Sequence, residues 1–164
     1  MTDVSLVPTV LKDLDIVLAM ETSPENATYI RHWERKQHEQ AIANPDIAHL
    51  KVVSDNKIVG YVILIGLINP DCSIEFKRIV IEPKGYGFGR QTICLVKEMV
   101  FDKLKAHRLW LEVISDNVRA YNLYLSEGFT EEGIHRESLK QGDVFLDLRV
   151  MSMLVSEYKL RDRH

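Results

Sequence analysis

A glycine-rich turn in the middle of the chain has the residue types and spacing of an anion-binding loop. It reads Gly85-Tyr86-Gly87-Phe88-Gly89-Arg90, and it lies between an apolar run, residues 74–81, and apolar residues at helical spacing. This pattern predicts a strand, a tight turn and a helix. Such a turn directs backbone N–H groups and a helix N-terminus at one point, which suits a phosphate or pyrophosphate group.

Two familiar phosphate-binding motifs do not fit this turn. A P-loop has a Lys-Ser/Thr pair after its last glycine, whereas Arg90-Gln91 follows here. The dinucleotide fingerprint requires Gly-x-Gly-x-x-Gly and an acidic residue about 20 residues later, and the spacing here differs. A turn that binds nothing stays open as the alternative, because glycine ladders also occur in turns without a ligand.

Histidine and glutamate side chains in residues 23–44 form a second group of candidates. Glu34 and His38 lie one helical turn apart, which is a conceivable arrangement for two metal ligands. No cysteine or third well-spaced ligand accompanies them in the sequence. We therefore favour a solvated helix face here and expect no metal.

The elements that must position these residues follow from apolar periodicity and turn signals. Strands are predicted over residues 4–9, 48–54, 57–68, 73–82, 107–114, 129–139 and 144–154. Helices are predicted over residues 13–20, from Pro24 to near Asn44, after the glycine-rich turn, and over residues 117–127. Predicted N-caps are Asp13 and either Ser115 or Asp116, and Asp55-Asn56 predicts a two-residue hairpin turn.

The resulting order, β-α-α-β-β-β-α-β-α-β-β, predicts an α/β (α+β) fold. We expect a mixed, mostly antiparallel central sheet of about seven strands flanked by about four helices, with a parallel βαβ element in its middle. One domain is expected over residues 1–164, with a frayed, charged tail over residues 159–164.

Composition excludes several classes of partner. The 164 residues carry a net charge of −3 and no signal peptide or membrane-spanning run, so we expect neither a nucleic-acid nor a membrane partner. Two cysteines, Cys72 and Cys94, are too few for a disulfide framework, and reduced thiols in a cytoplasmic protein are expected.

The element order and three motifs resemble the GNAT N-acetyltransferase superfamily over almost the whole chain, residues 4–154. The run Lys84-Gly85-Tyr86-Gly87-Phe88-Gly89 resembles the family's pyrophosphate loop, Arg/Gln-x-x-Gly-x-Gly/Ala, although it begins with lysine directly after Pro83. Residues 116–129 resemble the family's Asn-x-x-Ala-x-x-x-Tyr-x-x-x-Gly-Phe segment. Residues 142–147 with Met151 resemble the closing hairpin of the ribosomal-protein-acetylating (RimJ/RimL-like) branch.

This resemblance implies acetyl-CoA as the cofactor. In the family, a splay between the fourth and fifth strands admits the pantetheine arm, and main-chain groups of the fourth strand pair with it. The loop would hold the pyrophosphate, and Lys84 could add a point charge to a phosphate. The cofactor-binding residues so implied are Ile79, Val80, Ile81, Lys84, Gly85, Tyr86, Gly87, Phe88, Gly89, Arg90, Asn117, Ala120 and Tyr124.

Acetyl transfer to an amine needs an acid for the departing thiolate. The resemblance implies that Tyr124 is this acid and that Asn117 contacts the cofactor. Both share one helix face with Ala120, at positions i, i+3 and i+7. A packed aromatic residue with a satisfied hydroxyl is the alternative for Tyr124, and Tyr121 is interpreted as core.

The reaction also needs a neutral amine, and Glu75 is the first candidate base. It matches the place where several family members carry a catalytic glutamate on the fourth strand. The alternative is a strand-edge glutamate paired with Lys77 or Arg78. Glu112 on the fifth strand is a second candidate, and loss of the proton to solvent is a third interpretation.

The resemblance places the amine acceptor between residues 23–44 and residues 139–146. Glu25, Glu34 and Glu39 on the first side would attract a cation, although solvated carboxylates are the simpler interpretation. A protein N-terminus, a polyamine, an amino sugar and an antibiotic are the candidate acceptors.

We therefore expect an acetyl-CoA-dependent N-acetyltransferase that acts on a primary amine, of a small molecule or a protein N-terminus, by direct attack in a ternary complex. A GNAT-fold sensor or assembly module that binds CoA without catalysis, and a nucleotide-phosphate-binding enzyme, are the alternatives. A homodimer through the C-terminal strands is left open.

Overall fold

A single seven-stranded sheet forms the centre of the computed structural model, which describes residues 3–161. Its spatial order is β1-β2-β3-β4-β5-β7-β6; β4 and β5 are parallel, and the other neighbouring pairs are antiparallel. The mixed, mostly antiparallel sheet predicted from the sequence is thus confirmed. The strands are β1 (Ser5–Pro8), β2 (Ile47–Ser54), β3 (Lys57–Ile65), β4 (Ser73–Ile81), β5 (Arg108–Ile114), β6 (Thr130–Gln141) and β7 (Val144–Leu154).

Helices cover both faces of the sheet. They are α1 (Leu14–Thr22), α2 (Pro24–Ala27), α3 (Arg35–Ala43), α4 (Phe88–Glu98), α5 (Val118–Ser126) and α6 (Val155–Arg161). On the α1–α3 face, Leu14, Val17 and Met20 of α1 pack against Tyr61, Ile63 and Val80. On the α4–α5 face, residues of α4 and α5 pack into a larger core that includes Phe88, Ile93, Tyr124, Leu109 and Leu111. Within residues 3–161, none of the helices combines the length and apolarity that a membrane crossing requires.

Residues 3–161 contain six α-helices, where about four were expected. One of the two additional helices arises because the second helical region is divided. Pro24 occupies the first position of α2, as predicted, but α2 has only four residues. Residues 28–34 form turns and irregular structure before α3 begins. Tertiary contacts explain this break: the Arg31 carbonyl accepts from Arg78, and the Trp33 N–H lies 3.4 Å from a Glu21 carboxylate oxygen. Main-chain groups bonded in this way are not available to a continuous helix.

The second unexpected helix, α6, corrects the prediction of a frayed tail from residue 159. Tyr158 stacks on Phe101 with ring centroids 5.0 Å apart. Arg161 donates to the main-chain carbonyl of Ser126 at 3.1 Å. These contacts hold the last turn of α6 against the body, so residues 159–161 are helical; residues 162–164 lie outside the described part of the chain.

The turn between β2 and β3 has the backbone conformation that its two residues predict. Asp55 and Asn56 both have positive φ, 49° and 61°. Two consecutive residues of this kind form the type I′ turn whose twist matches that of the flanking strands. The predicted two-residue hairpin is confirmed.

Gly60 on β3 offers a test of how tightly the middle of the sheet is packed. A Cβ at this position would lie 2.2 Å from the Val80 carbonyl oxygen and 2.8 Å from Ile81 Cδ1. Since a backbone atom cannot yield easily, Gly60→Ala should lower the free energy of unfolding by about 1–3 kcal/mol. Urea denaturation measures the change.

Gly133→Ala on β6 is the matched control, because its Cβ would meet nothing within 4 Å. It should leave the unfolding free energy nearly unchanged. Equal effects of the two substitutions would contradict the packing described for β3 and β4.

Candidate active site

A gap opens between two strands in the middle of the sheet. The parallel strands β4 and β5 are paired only over Ser73–Glu75 and Arg108–Trp110. Beyond this point β4 continues to Ile81 along β3, while β5 continues to Ile114 along β7. Lys77 is left out of the β3–β4 register, which marks a β-bulge. A bulge bends its strand and increases its twist, so it accounts for the divergence of β4 from β5.

Main-chain groups of β4 face this gap. The Glu82 N–H donates to the Val59 carbonyl on β3, at 2.8 Å. Because main-chain direction alternates along a strand, Val80 also turns toward β3, whereas Ile79 and Ile81 turn toward the gap. The Val80 side chain is buried on the α1–α3 face. Of the three predicted pantetheine contacts, Ile79 and Ile81 are therefore the two that present main-chain groups to the gap.

The glycine-rich turn lies at the end of the same strand. Gly87 is the N-cap of α4, with φ 77° and ψ 5° in the left-handed region, which favours glycine. A Cβ on Gly89 would approach Leu123 at 3.7 Å and Ile81 at 4.0 Å. The first turn of α4 thus sits between the end of β4 and helix α5, with Gly85, Tyr86 and Gly87 exposed. Accessible N–H groups at a helix N-terminus fit the predicted pyrophosphate site.

Two basic side chains of this turn are held by protein groups. Lys84 Nζ donates to Asn26 Oδ1 at 3.0 Å and to the Ile81 carbonyl at 3.1 Å. Burial, and next the charge of Arg119, lower the pKa of Lys84. Arg90 donates to the Glu127 carboxylate and to Ser126. The turn therefore offers an anion chiefly its main chain, rather than the Lys84 point charge considered from the sequence.

Tyr124 projects from α5 into the core beside the gap. Its ring lies 6.5 Å from that of Phe76 on β4 and 5.7 Å from that of Phe129. Only 8% of the residue is exposed, and burial raises the pKa of its phenol. Among the described residues, the structure records no hydrogen bond to the Tyr124 hydroxyl. A satisfied structural hydroxyl, the alternative from the sequence, therefore has no support within residues 3–161.

Asn117 lies one residue before α5, whereas the helix was predicted to begin at this residue. It is the N-cap of α5, and its Oδ1 accepts from the Ala120 N–H at 3.3 Å. The prediction of Ser115 or Asp116 as the cap is wrong by one or two residues, because the Asn117 side chain satisfies the free N–H group. Ala120 is half-buried and lies one helical turn before Tyr124.

Glu75 lies on the opposite face of the sheet from Tyr124. Its neighbours Ile74 and Phe76 belong to the core on the α4–α5 face, so alternation directs Glu75 to the α1–α3 face. The same alternation applies to Glu112, which stands between two core residues of β5. Burial, and then the negative charge of Glu112, raise the pKa of Glu75, while Lys77 at 3.7 Å opposes the shift.

A buried polar cluster was missed in the sequence. Glu21 of α1 contacts Tyr61, Arg78 and His38, and all four side chains are buried. The prediction of a solvated helix face is wrong for His38, which is 0% exposed. A signal was present: polar residues such as Tyr61 and Arg78 stand within buried strands, where they require partners. Within residues 3–161 no three or more metal-binding side chains are grouped to hold an ion.

The raised pKa of Glu75 can be tested without an activity assay. A carboxyl-¹³C NMR titration should give Glu75 a pKa above that of an exposed glutamate. Glu112→Gln should lower the Glu75 pKa because it removes a like charge, and Lys77→Met should raise it because it removes an opposite charge. A Glu75 pKa at or below the exposed value in the unchanged protein would contradict the described environment.

Comparison with known proteins agrees with this geometry. The family model described as acetyltransferase (GNAT) family matches residues 14–129, more than half of the chain. A spermidine N(1)-acetyltransferase of Vibrio cholerae serotype O1 is 34% identical over 110 residues, which are 65% of this chain and 64% of that protein. A probable N-acetyltransferase, YjcK of Bacillus subtilis, is 28% identical over 62% of this chain and 57% of its own length. The chain thus matches somewhat less than two thirds of the length of either relative.

A solved structure extends the likeness across the chain. The spermidine N-acetyltransferase of Vibrio cholerae in complex with CoA and spermine superposes with a TM-score of 0.86 at 25% identity, over 96% of this chain and 98% of that one. These relatives do not support the RimJ/RimL-like branch that the closing hairpin indicated. The family itself is shown by the matched residues and the shared fold: this chain belongs to the GNAT family of acetyltransferases.

Proposed function

We propose that this protein transfers the acetyl group of acetyl-CoA to a primary amine. The observation that carries the proposal is the gap between β4 and β5. It has main-chain groups of Ile79 and Ile81 on its edge, Tyr124 on one face and Glu75 on the other. An extended pantetheine arm would pair with that edge as an added strand does, and the N-terminus of α4 would hold the pyrophosphate.

The two faces divide the proton transfers between two residues. Glu75, with its raised pKa, accepts a proton from the ammonium form of the amine on the α1–α3 face. The amine nitrogen then bonds to the acetyl carbon and the carbon–sulfur bond breaks. Tyr124 donates its phenolic proton to the departing sulfur from the α4–α5 face. Burial raises the pKa of this phenol, so it is protonated near pH 7 and carries the proton that the departing sulfur takes.

We propose a polyamine such as spermidine as the acceptor. Glu75 and Glu112 place two carboxylates on the side of the gap that an amine would approach, and paired negative charges attract a polycation. The β6–β7 hairpin and the α2–α3 connection meet on this side, where Gln141 Nε2 donates to the Thr28 carbonyl at 3.2 Å. Both relatives from Vibrio cholerae bear names of spermidine acetyltransferases, which supports this choice over a protein N-terminus.

Other features support the wider expectations from the sequence. One continuous sheet agrees with the single domain that we propose for residues 1–164. Cys72 and Cys94 are both free thiols, in agreement with a cytoplasmic location. Exposed apolar side chains on β6 and β7, Ile134, Val144 and Phe145, support a homodimer through these strands.

Binding of the cofactor can be tested by thermal unfolding. Acetyl-CoA should raise the melting temperature because it binds the folded form only, by an amount that grows with its concentration. ATP at the same concentration is the control, since it shares the pyrophosphate but lacks the pantetheine arm. No shift at millimolar acetyl-CoA, or an equal shift with ATP, would contradict the proposed cofactor site.

The acid role of Tyr124 predicts a kinetic effect. Tyr124→Phe should lower kcat by about 100-fold or more, with a much smaller change in the KM for acetyl-CoA. Release of CoA with spermidine as the acceptor is the measurement.

Tyr121→Phe is the matched control on the same helix. The Tyr121 hydroxyl donates to Glu131 at 2.9 Å, away from the gap. Its removal should leave kcat unchanged. Unchanged kcat in Tyr124→Phe would remove the acid role, and no turnover of spermidine or other amines by the unchanged protein would favour a CoA-binding sensor.

A further inference from the structure

We propose that Glu21 is a positioning residue which, together with Arg78, holds residues 28–34 at the amine side of the gap. We call Glu21 and Arg78 the clasp and residues 28–34 the clasped segment. The inference rests on the proposed function, because the amine side is defined by it. The clasp touches the segment rather than the amine, and it determines how the amine is bound.

Glu21 is fully engaged by protein groups. Its side chain is 0% exposed at the end of α1. Oε1 accepts from the Tyr61 hydroxyl at 2.5 Å and from Arg78 Nη1 at 2.7 Å, and His38 Nε2 also lies 2.7 Å away. Oε2 lies 3.1 Å from His32 Nδ1 and 3.4 Å from the main-chain nitrogen of Trp33.

These contacts determine the charge of Glu21. Burial alone would raise its pKa, but the contacts with His38 and Tyr61 and the charge of Arg78 lower it. Glu21 is therefore ionised and already neutralised by Arg78. It is not available to attract an amine, unlike Glu75.

Arg78 forms the second half of the clasp. Its Nη2 donates to the Arg31 carbonyl, and its guanidinium carbon lies 5.0 Å from the centre of the Trp33 ring. The bulge at Lys77 returns Arg78 to the face of β4 that carries Glu75, and the two residues pair with positions of β3 that are roughly 7 Å apart along the strand. A planar guanidinium can pair with a carboxylate, donate to a carbonyl and stack on an aromatic ring at once. Arg78 thus connects α1 and the clasped segment to β4, the strand that carries the proposed base Glu75.

A series of contacts through His38 and His49 connects Glu21 to the neighbouring strands. His38 Nδ1 lies 2.9 Å from His49 Nε2, and His49 Nδ1 lies 2.9 Å from Thr9 Oγ1. Burial, and then the charge of His38, lower the pKa of His49 to about 4, so His49 stays neutral near pH 7. These contacts tie Glu21 to the end of β1 and to β2. Glu21 therefore has a fixed position from which to hold the segment.

Outside the clasp, the clasped segment is held by Ile30 and Trp33, which are partly buried against the core on the α1–α3 face. It lies between α2, which has four residues, and α3. At its start, the Thr28 carbonyl accepts from Gln141 at the tip of the β6–β7 hairpin. The segment therefore borders the same side of the gap as Glu75 and Glu112. The distance between the clasped segment and the sheet sets the width of the space that an amine can enter. The clasp sets this distance.

The decisive variant removes both charges of the clasp. Glu21→Gln alone would leave Arg78 buried without a counter-charge, which destabilises proteins strongly, whereas replacing both partners by apolar residues is often neutral. The double variant Glu21→Met/Arg78→Met should melt at a lower temperature, because the buried Tyr61 hydroxyl loses its acceptor. The folded variant should keep the melting-temperature rise with acetyl-CoA. Its KM for spermidine should rise at least about tenfold, because residues 28–34 no longer hold a fixed position beside the amine. The factor by which kcat falls should be smaller than this rise in KM.

A matched control exists on the same face of the sheet. Lys51 Nζ donates to Asp13 Oδ2 at 2.9 Å, and this pair joins β2 to the turn before α1. Asp13→Met/Lys51→Met should leave the KM for spermidine unchanged.

Arg78→Lys is a milder second variant of the clasp. It keeps the positive charge opposite Glu21 but loses the planar guanidinium that donates to the Arg31 carbonyl. It should raise the same KM by a smaller factor, and it remains informative if the double variant does not fold.

Fluorescence of Trp33 reads the position of the segment without turnover. In a Trp110→Phe background, acrylamide should quench Trp33 more strongly in the Glu21→Met/Arg78→Met variant than in its parent. If the unchanged protein fails to acetylate spermidine but this quenching increases, the proposed acceptor is wrong and the clasp stands. Unchanged quenching, or an equal rise in KM in the Asp13→Met/Lys51→Met control, would overturn the inference.

Discussion

The separation of β4 from β5 is the constraint on which the rest of the structure depends. Two parallel strands that share three paired positions, Ser73–Glu75 and Arg108–Trp110, then follow different partners. A sheet with unpaired main-chain groups in its middle would be unstable if those groups were buried in apolar surroundings. We therefore propose that the edge at Ile79 and Ile81, where Lys84 Nζ donates to the Ile81 carbonyl, receives an extended ligand that supplies further hydrogen bonds.

In the proposed mechanism, the two proton transfers are divided between the two faces of the sheet at the gap. Tyr124 reaches it from the α4–α5 face, where apolar packing keeps the phenol protonated. Glu75 reaches it from the α1–α3 face, where partial burial and a second carboxylate raise its pKa. The sheet separates the proposed acid from the proposed base. On the face that carries Glu75, residues 28–34 border the gap, and the ion pair of Glu21 and Arg78 holds these residues in place.

Local patterns predicted much of this architecture, and tertiary contacts account for what was missed. The Asp55-Asn56 turn, the strand before the glycine ladder and Pro24 at a helix start were predictable because each follows from backbone geometry. The split of the second helical region was not, because its cause lies in contacts with Glu21 and Arg78. The burial of His38 was missed for the same reason. The gap could not be read from spacing, since the bulge at Lys77 has no sequence signature.

Residue-resolved amide hydrogen exchange tests the central claim most directly. In the free protein, the amides of Ile79 and Ile81 should exchange faster than that of Val80, which faces β3. Saturating acetyl-CoA should slow exchange at Ile79 and Ile81, because the added ligand completes the edge of β4, and should change Val80 little. Exchange at Ile79 and Ile81 that is unaffected by bound acetyl-CoA would show that the gap does not receive the cofactor.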